Sequence, residues 1–125
     1  MAGRGNVLVV EDESELRAMY RTALVLDEFD VTEAATGLEA LRRLESMNFD
    51  LIVLDMGLPA LSGRTFLLEL MAKTDTRKIP VVIVTGSTKT FNSLNVARVL
   101  RKPVCADALV ETVRHFVHRT APFTS

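Results

Sequence analysis

Five side chains scattered along this 125-residue chain could do chemistry together: Glu11, Asp12, Asp55, Thr85 and Lys102. Each follows or ends a short apolar run. Glu11 and Asp12 follow Val7-Leu8-Val9-Val10, Asp55 follows Leu51-Ile52-Val53-Leu54, Thr85 ends the run from Val81, and Lys102 follows the stretch from Val96 to Arg101. Singly, each has an ordinary explanation. Acids suit the positive start of a helix, Asp often opens a turn, Thr is a good strand former, and a loop Lys is commonly just solvated. Jointly they suggest a reaction. Clustered carboxylates repel one another and call for a cation; oxygen ligands select a hard one, and Mg2+ takes one or two carboxylates while keeping waters. An Asp carboxylate can act as a nucleophile and become an acyl phosphate. An ammonium and a hydroxyl can stabilise the other phosphoryl oxygens as charge shifts during transfer. Gly86 has no side chain and leaves the approach to Thr85 open.

Residues so distant in sequence meet only if the fold brings them together. Asn6 to Val10 is a compact β-branched run and reads as strand 1. Ser14 can cap a helix with Leu16, Met19, Tyr20, Ala23 and Leu24 on one face. Asp30 to Ala34 reads as strand 2. Thr36-Gly37-Leu38-Glu39 has the spacing of a capping box, before a helix with Leu41, Leu44 and Met47 inward. Leu51 to Asp55, bounded by turn formers, reads as a strand buried on both faces. Ser62 can cap a third helix carrying Phe66, Leu67, Leu70 and Met71. Pro80 opens strand 4, Val81 to Thr85, where Pro is tolerated at the first residue. Strand 5 spans Val96 to Arg101, and the last helix has Leu109, Val110, Val113, Phe116 and Val117 on one face.

Strands alternating with helices make a parallel sheet with helices on both faces. Five strands with right-handed crossovers suit the flavodoxin-like order 2-1-3-4-5, in which strands 1 and 3 adjoin at the switch point. In such a sheet ligands bind outside the carboxyl ends of the strands. That edge is where Glu11, Asp12, Asp55, Thr85 and Lys102 fall. Gly86 to Asn95 leaves room for only a turn or two, so the fourth helix is expected to be short or irregular, with Phe91 as a core filler. Residues 6–118 form the expected domain, with flexible ends at 1–5 and 119–125.

Composition is that of an ordinary globular protein, 48% hydrophobic and 25% charged, enough for one domain with a real core. A net charge of −1 gives no bulk attraction to nucleic acid or an anionic membrane. The single cysteine, Cys105, cannot form an internal disulfide and fits a reducing cytoplasm; an inert structural role is expected for it. No apolar stretch is long enough to span a bilayer, and the start lacks the run of a signal peptide. His115 and His118, three apart, could suit a metal, but no acidic or Cys partner is near, so a solvated face is expected. Tyr20 is expected in the core.

The motifs Val9-Val10-Glu11-Asp12-Glu13, Leu54 to Pro59, Leu61-Ser62-Gly63, Val84-Thr85-Gly86 and Arg101-Lys102-Pro103-Val104 together are highly specific. From about Asn6 to Val117 the chain resembles the receiver domain of bacterial two-component response regulators, of the chemotaxis-regulator kind. The resemblance implies that Asp55 accepts a phosphoryl group from a phosphohistidine of a histidine kinase or a histidine phosphotransfer protein. It implies that Asp12, Asp55 and the backbone carbonyl of Gly57 bind Mg2+, with Glu11 reaching the metal through water. Thr85 would swing toward the phosphoryl group, and Lys102 would pair with it, held by a cis bond to Pro103. Such a domain is a switch that promotes its own phosphorylation and dephosphorylation, not a turnover enzyme. A second copy of the chain is also a candidate partner.

Two departures from that family stand out. The aromatic switch residue three positions before the lysine is here Val99, whose β-branched side chain cannot swing as a ring does. Sixteen residues separate Thr85 from Lys102, fewer than the family usually carries, and the shortfall falls at the fourth helix. Both features suit a rival reading, a receiver-like scaffold that binds partners without phosphorylation; the complete acid, Thr and Lys set argues against it. A phosphohydrolase of the haloacid-dehalogenase type would carry a second Asp where Gly57 stands. A dinucleotide binder would carry a Gly-rich turn where Glu11-Asp12-Glu13 would repel phosphate.

Overall fold

The computed structural model describes residues 3–87 and 95–120, with side chains to Val117. The elements run β1 (Asn6–Val10), α1 (Ser14–Leu26), β2 (Asp30–Ala34), α2 (Gly37–Ser46), β3 (Leu51–Asp55), α3 (Gly63–Ala72), β4 (Val81–Thr85), β5 (Val96–Arg101) and α4 (Ala106–Thr120). All neighbouring strands pair in parallel, in the order β2-β1-β3-β4-β5. This is the flavodoxin-like sheet the alternation of strands and helices called for. The expected short fourth helix and Phe91 fall on residues 88–94, outside the described residues.

Strand residues alternate between the two faces of the sheet, and each face is covered. Leu8, Val10, Ile52, Leu54 and Ile83 pack with Ala40 of α2 and with Phe66, Leu67 and Leu70 of α3. Val7, Val9, Leu51, Val53, Val82 and Val84 pack with Tyr20 and Leu24 of α1 and with Leu109, Val113 and Val117 of α4. Covering on both faces explains why β3 and β4 are apolar runs, buried at every position.

Side-chain caps fix two helix starts, each contributing about 1 kcal/mol. The Glu39 N–H donates to Thr36 Oγ1 at 3.0 Å, and the Thr65 N–H donates to Ser62 Oγ at 3.1 Å. The capping box closes one residue early: Glu39 Oε1 accepts the Ala35 N–H at 2.6 Å. At α1 the expectation is corrected. Glu13, not Ser14, holds the cap position, with no side-chain cap bond. Its N–H is already taken by Glu11 Oε2 at 3.1 Å, and its carbonyl accepts the Arg17 N–H at 2.9 Å, so the helix begins at Ser14 itself.

Two methionines also leave their expected faces. Met19 flanks the stripe of Leu16, Tyr20 and Leu24 and is 38% exposed. Met47 lies past the end of α2 in extended backbone, where helical periodicity no longer applies, and is 41% exposed. Gly63 opens α3 against the chain leaving β3. A Cβ there would stand 2.6 Å from Met56 Sδ and 2.8 Å from Met56 Cα, so this approach requires glycine.

Candidate functional site

Strand register carries the candidate residues to one edge. Val10 pairs with Leu54 across β1 and β3, so Glu11 and Asp55 emerge as neighbours. Asp55 pairs with Val84, and Thr85 with Arg101, so each strand toward β5 presents its candidate one residue further on. The Lys102 N–H donates to the Thr85 carbonyl at 2.8 Å, extending the β4–β5 ladder to the lysine. The Lys102–Pro103 peptide is cis.

These residues surround a cavity of about 670 Å3 lined by Asp12, Asp55, Gly57, Thr85, Gly86 and Lys102, with Met56, Ser62, Arg64 and Ser87 completing the wall. Asp55 and Thr85 are buried at 6% and 4% exposure, Asp12 is exposed, and Glu11 lies behind them at 1%. Each of Glu11, Asp12 and Asp55 offers an oxygen within 4.8 Å of the others'. Lys102 Nζ stands 3.3 Å from Glu11 Oε1 and 3.6 Å from Asp55 Oδ1. The Gly57 N–H donates to Asp55 Oδ1 at 3.0 Å, and the Ser87 N–H donates to Thr85 Oγ1 at 3.0 Å. Among the described residues a Cβ on Gly86 would meet nothing within 4 Å, so they leave the approach beside Thr85 open.

The electrostatics are those of crowded acids. Burial pushes Glu11 up to about 7; the Glu13 N–H and Lys102 oppose the shift, and the Asp55 charge adds to it. Burial works against the charge on Lys102, but Asp55 and Glu11 outweigh it and hold the ammonium above its ordinary value. Tyr20, 1% exposed in the core as expected, is raised by burial and by Glu11. Glu11 Oε1 is buried and, beyond its ion pair with Lys102, accepts no regular hydrogen bond among the described residues. An acceptor left so, beside two further carboxylates, fits a hard divalent cation: three oxygens of the right kind converge and one ammonium does not neutralise them.

Other residues singled out in the sequence lie away from this cluster. Val99 packs half-buried against the α2–α3 face of the core. Cys105 is exposed, and its carbonyl accepts the Leu109 N–H at 3.2 Å at the start of α4. His115 is exposed and meets Phe116 edge to face at 4.8 Å; the His118 side chain lies outside the described residues.

Three contributors were not singled out in the sequence. The Ser87 N–H donates to the Thr85 hydroxyl, and the signal for it was a Thr at the strand end two residues before a Ser in the turn that follows. Arg64 lines the cavity from the first turn of α3. Arg17 of α1 donates to the Glu11 carbonyl at 2.9 Å. Helical side chains lean toward the N-terminus, so an Arg in the second turn can reach the preceding loop; that was the available signal.

Among curated proteins, the chain is 30% identical over 120 residues to the transcriptional regulatory protein CpxR homolog of Haemophilus influenzae, a match that covers 92% of this chain and 51% of that protein. The chain spans 31%, 22% and 57% of the lengths of three other curated relatives. Among solved structures, the receiver domain of a Francisella response regulator superposes with a TM-score of 0.84 at 29% identity, covering 94% of this chain and 99% of that one. The receiver domain of a sensor histidine kinase from Pseudomonas aeruginosa, solved with magnesium coordinated in its active-site cleft, superposes with a TM-score of 0.83 at 25% identity, again covering 94% and 99%. The family model for the response regulator receiver domain matches residues 7–114. Since that match takes in all five strands but for Asn6, and the last helix as far as Arg114, the chain belongs to the receiver domains of two-component response regulators.

Proposed function

We propose that this domain takes a phosphoryl group onto Asp55 from the phosphohistidine of a histidine kinase or a histidine phosphotransfer protein, with Mg2+ in the acidic pocket, and thereby switches its interactions. The observation that carries the reading is the setting of Asp55: a nearly buried carboxylate opening into a cavity with an ammonium 3.6 Å away and a hydroxyl on the adjoining strand.

An Asp55 oxygen attacks phosphorus as the phosphorus–nitrogen bond breaks and its electron pair returns to the imidazole, leaving an acyl phosphate on Asp55. Lys102 is placed to follow the charge that moves onto the phosphoryl oxygens, and the Thr85 hydroxyl to donate to one of them after leaving the Ser87 N–H. Asp12 and Asp55, with the Gly57 carbonyl, would hold Mg2+, and Glu11 would support it through water; the ion would neutralise the carboxylates and the incoming phosphoryl charge. Return of the phosphoryl group to water resets the domain, so it acts as a switch and not as a turnover enzyme. Arg101 donates to the Ser87 carbonyl, so Ser87 is bonded both to the Thr85 hydroxyl and to β5, a connection that does not involve Val99.

The test is phosphorylation with phosphoramidate and Mg2+, read by intact mass, beside an amide NMR titration with Mg2+ and beryllofluoride. One base-labile phosphoryl group per chain, lost in Asp55→Asn, supports the reading. Shifts reaching from Asp55 and Thr85 to β5 and α4 mark a working switch. No phosphorylation and no shift in excess Mg2+ would leave the scaffold reading.

A further inference from the structure

The loop that carries Glu11 and Asp12 is short and has few ties of its own. The Glu11 N–H donates to the Ala34 carbonyl at 3.1 Å. The Glu13 N–H depends on the Glu11 carboxylate itself, at 3.1 Å. That bond runs to Oε2 of the ligand side chain itself, so it moves with the carboxylate and does not anchor the main chain to the rest of the fold. A side-chain tether to the main chain of both acidic residues comes from α1. Arg17 Nη1 donates to the Glu11 carbonyl at 2.9 Å and reaches the Asp12 carbonyl at 3.5 Å. Its Nε lies 3.3 Å from Glu33 Oε1 on β2, and Arg21, one turn along, lies 3.4 Å from Glu33 Oε2. One planar guanidinium thus ties α1 and β2 to the main chain of both acidic residues. The Arg17 side chain is 20% exposed, sheltered enough for these bonds to persist.

We propose that Arg17 is a positioning residue for divalent-cation binding: it fixes the backbone of Glu11 and Asp12 so that their carboxylates converge with that of Asp55. Glu33 in turn orients Arg17. The inference rests on the reading of the acidic cluster as a Mg2+ site and adds to it a residue that touches no ligand. Two effects of Arg17 oppose each other. Its positive charge repels a cation, whereas its fork orders the ligands. Glu33, shared with Arg21, offsets part of that charge, and on this proposal the ordering of the two acidic residues' carbonyls outweighs the rest. Partners behind metal ligands commonly shift affinity by about 10–100-fold; a backbone tether belongs at the lower end, about tenfold.

The experiment is an amide NMR titration of the full chain with Mg2+ alone, on the wild type, Arg17→Ala, Arg17→Lys and Glu33→Gln, with thermal melts of each. Arg17→Ala should weaken Mg2+ binding about tenfold and broaden the Glu11, Asp12 and Glu13 amides. Arg17→Lys keeps the charge without the fork and should recover only part of the loss. Glu33→Gln keeps Arg17 and removes its orienting partner; it should weaken binding by a smaller factor, and it supplies the test should Arg17→Ala not fold. Unchanged or tighter Mg2+ binding in folded Arg17→Ala overturns the inference, whatever the melting temperature does, and so does unchanged binding in Glu33→Gln where Arg17→Ala is unfolded. A wild type that does not respond to Mg2+ removes the metal reading itself, and this inference with it. Those failures are distinct, because only the last is seen without a substitution.

Discussion

The Lys102 ammonium faces Asp55 Oδ1 at 3.6 Å while standing 3.3 Å from the buried Glu11. One cation therefore serves two carboxylates that the strand register has made neighbours, and Asp12 adds a third at the rim. The pocket carries excess negative charge until something positive enters or a proton is taken up. That imbalance governs how the site responds to substitution and to pH.

Asp55→Asn should abolish phosphoryl acceptance and leave the fold intact, since it removes charge from a crowded pocket without changing volume. It should also bring Glu11 down toward the ordinary carboxylate range, because the Asp55 charge is one of the causes that raise it. Intact-mass analysis after phosphoramidate treatment checks the first outcome, and a carbon-detected NMR titration of the Glu11 carboxyl checks the second. Labelling that persists on another residue would refute the assignment of Asp55.

Glu11 sets a pH dependence whose sign is fixed by its raised value of about 7. Without metal, the folded protein holds the Glu11 proton where the unfolded chain has lost it, between about pH 4.5 and about pH 7. Stability from this group therefore declines as pH rises through that window and levels off above it. A divalent cation competes with the same proton, so apparent Mg2+ affinity should rise with pH by up to about tenfold per unit below 7 and flatten above it. Mg2+ titrations at about pH 6 and about pH 8 decide the matter; a dissociation constant that does not move, or a slope that survives in Glu11→Gln, counts against it.

The sheet order was legible because each strand is a short apolar run ending in a turn, and crossover handedness leaves few topologies for such a chain. The edge on which Glu11, Asp12, Asp55, Thr85 and Lys102 meet followed from that order. What sequence could not give was side-chain reach. Arg17 looked like one more solvated helical charge, and only the packing of α1 beside β2 turns it toward the Glu11 carbonyl. Met47 fitted the α2 periodicity but lies beyond the helix end, which backbone and not pattern determines. Ser14 lost its cap role because the Glu13 carbonyl accepts the Arg17 N–H, which starts the helix one residue earlier than the Ser suggests.

Lys102→Ala should separate metal binding from transfer. Lys102 lowers the Glu11 value, so its loss pushes Glu11 higher still and destabilises the metal-free protein at neutral pH. At a pH above the raised Glu11 value the site loses a competing cation, and Mg2+ binding should be as tight as in the wild type or tighter. Phosphorylation by phosphoramidate should slow on the order of 10²-fold, as when a preorganised charge is removed from a developing anion. Equal losses in both measurements would mean that Lys102 acts only by holding the fold.

Gly63 ties the packing of α3 to the site. An added methyl there meets Met56 Cα at 2.8 Å as well as the Met56 side chain, and Met56 directly follows Asp55. The backbone must shift, so Gly63→Ala should cost about 1–3 kcal/mol and move the Met56 and Gly57 amides. Gly37, at the start of α2, is the contrasting case. The three atoms nearest to its added methyl all belong to the Leu61 side chain, Cδ2 at 2.8 Å and Cβ and Cγ at 3.2 Å. Rotation moves Cδ2 and Cγ away, a shift of a few tenths of an ångström relieves the Cβ contact, and the gain of about 0.5–1 kcal/mol from replacing glycine by alanine in a helix offsets what strain is left. Gly37→Ala should therefore be close to neutral in chemical denaturation, with Mg2+ binding unchanged. Comparable losses of stability in the two variants would mean that the Met56 backbone yields more easily than its contact with α3 implies.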